Sequence, residues 1–167
     1  TSVKTLVLSI LREAFPEEGA VYANPGNRNN EIGLPLAVLD APEDAKFAVY
    51  EMGAGKPGDI AYLTTIVPPQ VALVNNIAPA HMERMGSLLG IAETKGAIYE
   101  ALPDDGIAVI NADDAFAPFF HSLVGAHALV DPGLVTGAQV WADPAGEEAR
   151  ELERVGRHVQ VGADVQA

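Results

Sequence analysis

VALVNNIAPAHMERMGSLLGIAETKGAIYEALPDDGIAVIN, residues 71–111, reads as a strand, a helix and a second strand in that order. Residues 71–76 form a short, mostly apolar run of the kind found in a buried strand. Residues 87–102 are predicted to form a long helix with Leu88, Ile91, Ala92 and Ile98 facing inward. Residues 107–111 repeat the buried-strand pattern and end at Ala112, Asp113 and Asp114. Between the first strand and the helix lies a loop, residues 76–87, that carries His81.

Working outward, the alternation continues on both sides. Residues 47–52 (FAVYEM) are another candidate buried strand, followed by the turn residues Gly53, Gly55, Pro57 and Gly58 and a predicted helix over 59–66. Val21 and Tyr22 begin a short strand before the polar loop NPGNRNNE, residues 24–31, and residues 33–39 resume as helix, with Pro35 tolerated in its first turn. Val3, Leu6, Val7, Ile10 and Leu11 recur at helical spacing and predict an amphipathic helix over 2–15. A helix over 115–124 follows the last clear strand. Beyond Asp131 a Gly- and Pro-rich stretch leads to a possible strand near 139–141 and a charged helix-former, EEARELERV, at 147–155. Strands alternating with helices imply βαβ units, hence an α/β fold with a mainly parallel sheet flanked by helices.

Composition narrows the function. At 167 residues the chain fits one domain. It has no cysteine, which excludes disulfides and thiolate metal sites and suits a reducing compartment. No apolar run approaches the roughly 18 uncharged residues of a membrane span. Lys4, Arg12 and Glu13 interrupt the apolar N-terminal stretch, and no small-residue cleavage site follows, so a signal sequence is not expected. The formal charge of −13, with only ten scattered Lys and Arg, argues against nucleic acid as a partner. Acidity of this kind serves solubility, or places carboxylates that hold a cation against an anionic substrate.

Ligands of open parallel sheets bind outside the carboxyl ends of the strands. Glu51 closes one strand, Asn75 and Asn76 another, and Asn111, Asp113 and Asp114 a third, while His81 lies in the loop after the second. A Glu and a His converging there suit a hard divalent cation that keeps waters and meets phosphates. Each has a plainer reading as a cap or ion-pair partner, and paired Asn and Asp after strands are common turn chemistry. His121, His127 and His158 show no partner spacing.

Three strings remove the ambiguity: NPGNRNNEIGLPLAVL at 24–39, VYEMGAGKPGDIAYL at 49–63, and residues 71–103. In order and content they resemble consecutive blocks of the central, ATP-binding domain of the Mur ligases, in particular the branch of the family that adds D-alanyl-D-alanine. The resemblance runs from Thr1 to about Ala115. It implies a P-loop-type mononucleotide-binding fold and, for a complete enzyme, ATP-dependent amide formation on a UDP-N-acetylmuramoyl tripeptide in bacterial cytoplasm during peptidoglycan synthesis. ATP and two magnesium ions are the implied cofactors. Thr1 would be the magnesium-ligating hydroxyl at the end of a Gly-rich phosphate loop. Glu51 would meet the magnesium between the β- and γ-phosphates, and His81 would help hold a second. Lys95, on the helix after His81, falls where the family has a lysine that carbon dioxide converts to a metal-binding carbamate; its plainer reading is a solvated helix lysine. Asn27, Asn29 and Asn30 lie in the loop used near the nucleotide-sugar substrate. Asn111, Asp113 and Asp114 are expected to be structural.

The family pattern also sets expectations of absence. The glycines and lysine of the phosphate loop do not precede Thr1, so the chain is expected to be cut at both ends and unable by itself to hydrolyse ATP, with the sheet left an unpaired interior edge. Domains that grip the uridine nucleotide and deliver the amine are absent. Residues 1–130 read as the partial central domain, and 131–167 as an unassigned continuation or insertion. A sister ligase for another amino acid, including a folylpolyglutamate synthase-like one, or a non-catalytic nucleotide-binding remnant are the competing readings.

Overall fold

The computed structural model describes residues 2–125 and 128–130. Thr1, residues 126–127 and residues 131–167 lie outside them, and with them His127, His158, the strand expected at 139–141 and the helix at 147–155. The described chain runs α1 (Ser2–Ala14), β1 (Val21–Ala23), α2 (Gly33–Leu39), β2 (Phe47–Val49), α3 (Asp59–Ile66), β3 (Val71–Val74), α4 (Met82–Met85), α5 (Leu88–Glu100), β4 (Ile107–Ile110), α6 (Ala117–Val124) and β5 (Ala128–Val130). Every strand pairing is parallel. β1 lies against β2, Tyr22 facing Ala48, and β3, β4 and β5 form a second ladder in which Ala72 faces Ala108 and Ala108 faces Leu129. Parallel neighbours need a crossover, and α2, α5 and α6 supply one for each pair.

The expected α/β architecture is present, divided into two hydrogen-bonded ladders rather than one. Side chains join the two. Leu73 of β3 packs on the cluster that Leu11, Phe15, Phe47 and Val49 form beneath α1, while the larger core spans Ala48 of β2, Val74 of β3 and Ile110 of β4. Two elements escaped the sequence reading: the single turn α4, inside what reads as a loop, and β5.

Two apolar stripes need correction. On α1, Val3, Val7, Leu8 and Leu11 face the core, but Leu6 and Ile10 are 50% and 38% exposed and Lys4 is buried in their stead. The helix is rotated so that Lys4 reaches polar partners at the strand ends. On α5, Ile91, Ala92 and Ile98 are buried as expected, whereas Leu88 in the first turn is exposed. Ser87 is the cap rather than the first helical residue, its hydroxyl accepting from the Gly90 N–H at 3.0 Å.

Tyr99 staples β3 to β4. Its hydroxyl donates to the Val109 carbonyl at 2.7 Å and accepts from the Val74 N–H at 3.0 Å. Burial pushes this hydroxyl well above its ordinary range, with the Asp114 charge adding to the rise and the Val74 bond opposing it. Gly96 permits the close approach of α5 and α6, since a Cβ there would meet Leu123, Phe120 and Phe119.

Candidate functional site

A cleft of about 580 Å³ opens at the carboxyl ends of β1 and β2. Asn27, Asn29 and Asn30 line one side, Glu51 its base, and Lys56, His81 and Arg84 the remaining rim. Five of the seven residues singled out in the sequence therefore share one cavity. Lys95 is not among its lining residues, and Thr1 lies outside the described residues.

Glu51 is the best-held group. It is 4% exposed, and its carboxylate is flanked on two sides: Lys4 Nζ lies 3.5 Å from Oε2, and the Asn29 amide donates to Oε1 at 3.2 Å. Its backbone is fixed by Asn24, the residue that follows the last aligned pair of β1, Ala23 with Val49. The Glu51 N–H donates to Asn24 Oδ1 at 2.9 Å, and Asn24 Nδ2 donates to the Glu51 carbonyl at 3.1 Å and to the Arg28 carbonyl at 2.8 Å. Lys4 spends its other donors on the Asn24 and Gly26 carbonyls, at 3.1 and 3.2 Å. Buried charges persist when paired and hydrogen-bonded, and this arrangement provides both.

Lys4 and Asn24 were missed in the sequence. The signal for Asn24 was its place between a strand and Pro25-Gly26, where an Asx side chain bonds nearby backbone. The signal for Lys4 was a charge within an apolar helix face, which reads equally well as a side chain extending to solvent.

The three asparagines of the loop do different things. Asn29 directs its amide at Glu51, and its carbonyl accepts from the Gly53 N–H at 2.7 Å. Gly53 makes this possible, because a Cβ there would sit 3.0 Å from Asn29 Cγ. Asn30 Oδ1 accepts from the Ile32 and Gly33 N–H groups at 3.2 and 2.8 Å, closing the entry to α2. Asn27 is exposed in the cleft. Opposite, Asp59 Oδ2 accepts from the Gly55 and Lys56 N–H groups and fixes the 55–56 turn.

The carboxyl end of β3 is fastened differently. Three successive residues are each gripped by another element: Asn111 Nδ2 donates to the Asn75 carbonyl at 2.9 Å, Lys95 Nζ to the Asn76 carbonyl at 2.8 Å, and the Ile77 N–H to Asp114 Oδ2 at 2.7 Å. Lys95 is 2% exposed, so the reading of it as a solvated helix lysine is overturned. Its place on the buried face of α5 carries Nζ inward beneath β3. The structural reading of Asn111 and Asp114 fits these bonds, while Asp113 is exposed. The chain then reaches His81, which is exposed and holds a left-handed conformation, φ 50° and ψ 36°, at the start of α4.

Among the described residues no three His, Asp or Glu side chains gather to form a metal cage. One buried carboxylate facing an open polar cleft instead suits a cation that takes most of its oxygens from phosphates and water, as magnesium does.

Parallel crossovers with a polar cleft outside the strand ends define an α/β domain that binds its ligand at the carboxyl edge of the sheet. The chain belongs to the Mur ligase middle domain family, whose model matches residues 1–153. It is 43% identical over 129 residues to the UDP-N-acetylmuramoyl-tripeptide–D-alanyl-D-alanine ligase of Haemophilus influenzae, covering 77% of this chain and 28% of that one. To the Escherichia coli ligase of the same name it is 41% identical over 125 residues, covering 75% and 27%. Among solved structures it resembles MurF from Acinetobacter baumannii (TM-score 0.69, 30% identity, 77% of this chain and 28% of that one). It also resembles the MurF ligase of Thermotoga maritima in complex with ADP (TM-score 0.65, 36% identity, 78% and 30%). The chain thus spans under a third of the length of these relatives.

Proposed function

We propose that this chain is the nucleotide-site part of an ATP-dependent ligase that joins D-alanyl-D-alanine to a UDP-N-acetylmuramoyl tripeptide. The observation that carries the reading is Glu51, buried at the end of β2 and presented to a cleft walled by an asparagine loop. Its kinship to ligases so named supports the choice of substrates. A terminal carboxylate oxygen of the tripeptide would bond to the γ-phosphorus of ATP as the bond to ADP breaks, giving an acyl phosphate. The amine of the dipeptide would then attack the acyl carbon, lose a proton, and expel inorganic phosphate.

The obstacle is charge, because a carboxylate must approach a triphosphate. Thr1, Glu51, His81 and a carbamylated Lys95 are the residues we assign to two magnesium ions, which when bound supply the positive field that this approach requires. In the Lys95 carbamate the nitrogen keeps one N–H, which can still donate to the Asn76 carbonyl it now faces. Asn27, Asn29 and Asn30 are assigned to the acceptor side of the cleft, where amides recognise a diphosphate and peptide without adding charge. Residues 131–167 would be a continuation of the same domain or an insertion in it, and other domains of a longer bacterial cytoplasmic protein would grip the uridine nucleotide and deliver the amine.

The test is phosphate release by the full-length protein with ATP, magnesium and the UDP-muramoyl tripeptide, with and without the dipeptide. Release that requires D-alanyl-D-alanine is expected. Release that requires a different amine would move the protein to a sister ligase, and silence with every amine would leave a nucleotide-binding domain without the reaction.

A further inference from the structure

The loop of residues 24–30 and the Glu51 carboxylate belong to different strands and would serve different ligands, yet they are fastened together. Lys4 reaches across from α1 to touch all three parties: the Asn24 carbonyl, the Gly26 carbonyl and Glu51 Oε2. Asn29 grips the other carboxylate oxygen, and it lies over Gly53 because that residue has no Cβ. The loop cannot shift without moving donors off the carboxylate. The carboxylate cannot turn toward a cation without parting from Lys4, which is then left to the two loop carbonyls.

We propose that Lys4 is a positioning residue of a clamp, completed by Asn29 seated on Gly53, that makes acceptor binding and cation binding at Glu51 mutually dependent. This rests on the functional reading above. When the acceptor orders residues 24–30, Lys4 is drawn toward the two loop carbonyls and Glu51 is released to the cation. By reciprocity, a cation on Glu51 must raise acceptor affinity by the same factor. The arrangement explains why a lysine is buried beside the carboxylate expected to meet a metal, where it would otherwise only compete for it.

Two substitutions break the clamp while leaving Glu51, Asn27 and Asn30 in place: Lys4→Met removes the cationic arm, and Gly53→Ala crowds Asn29 off its seat. In the full-length protein with ADP, Mn2+ is titrated by the electron paramagnetic resonance signal of the free ion, with and without the UDP-muramoyl tripeptide. Wild type is expected to bind Mn2+ about fivefold or more tightly when the acceptor is present, and each variant less than about twofold. A melting curve checks that the variants fold; should Lys4→Met fail, Gly53→Ala alone decides. Folded variants that keep the wild-type ratio overturn the clamp, as does a wild type that binds the acceptor with no change in Mn2+ affinity. A wild type that does not bind the acceptor overturns the functional reading together with the clamp.

Discussion

The carboxyl ends of β2 and β3 both carry polar chain out of the sheet, but they are secured by opposite means. Past β2 the bonds converge on a side chain: Lys4 and Asn29 hold the two oxygens of Glu51. Past β3 they converge on backbone: Asn111, Lys95 and Asp114 each take one peptide group of residues 75–77. The first arrangement leaves a charge whose partners can change, which a cation site needs. The second fixes the path of the chain toward His81 and gives up little freedom when a ligand arrives. A buried lysine serves each end, and only its partners reveal which task it has.

The largest expected effect tests whether Lys95 does more than fix backbone. In the full-length protein, Lys95→Ala should lower amide formation by about 10²–10³-fold, the scale of losing one charge-stabilising group, with partial recovery on adding short carboxylates. Full activity would reduce Lys95 to the chain-fixing role that its bond to Asn76 already gives it. Asp114→Ala comes next. It strands the Ile77 and Phe116 N–H groups, which now donate to this carboxylate at 2.7 and 2.8 Å, and should cost roughly 2–3 kcal/mol, read from the shift of the denaturation curve. A negligible shift would mean that the β3 end is not held as rigidly as its bonds imply.

Tyr99→Phe sharpens the same side of the contrast at about 1–3 kcal/mol, since Val74 N–H and the Val109 carbonyl both lose their partner. Burial raises the Tyr99 hydroxyl above its ordinary value of 10.0, so folding favours the protonated form. The stability it contributes is complete below about pH 10 and is lost as pH climbs through the higher folded value. Melting temperature against pH should therefore fall less steeply in the phenylalanine variant above that point.

The smallest effect belongs to the loop's outer edge. Arg28 and Asp40 pair at 2.8 Å, but both are about half exposed or more. Arg28→Ala should cost no more than about 1 kcal/mol, and moderate salt should erase the difference. A larger, salt-independent loss would show that the loop depends on its surface as well as on the clamp.

How much of this was legible from sequence differs by element. Strands 71–74 and 107–110 and the helix between them announce themselves because apolar runs of strand length bounded by turn residues have few other solutions. The single turn α4 was hidden by Pro79 and Gly86 around it, and β5 by its place beyond the last clear helix. Glu51, His81 and the asparagines could be picked out because strand ends and polar loops are where such folds keep chemistry, and a shared cleft brings them together.

What the sequence determined by itself was the parallel α/β alternation, the family, and the residues at the strand ends, all of which depend on local pattern. Tertiary structure alone decided that Lys4 turns inward while Leu6 and Ile10 remain in contact with water, that Asn29 faces a carboxylate, and that Lys95 is buried against a carbonyl. A long polar side chain on an amphipathic helix satisfies local periodicity whether it reaches solvent or crosses to another strand. The choice is made by where donors and acceptors from distant parts of the chain meet.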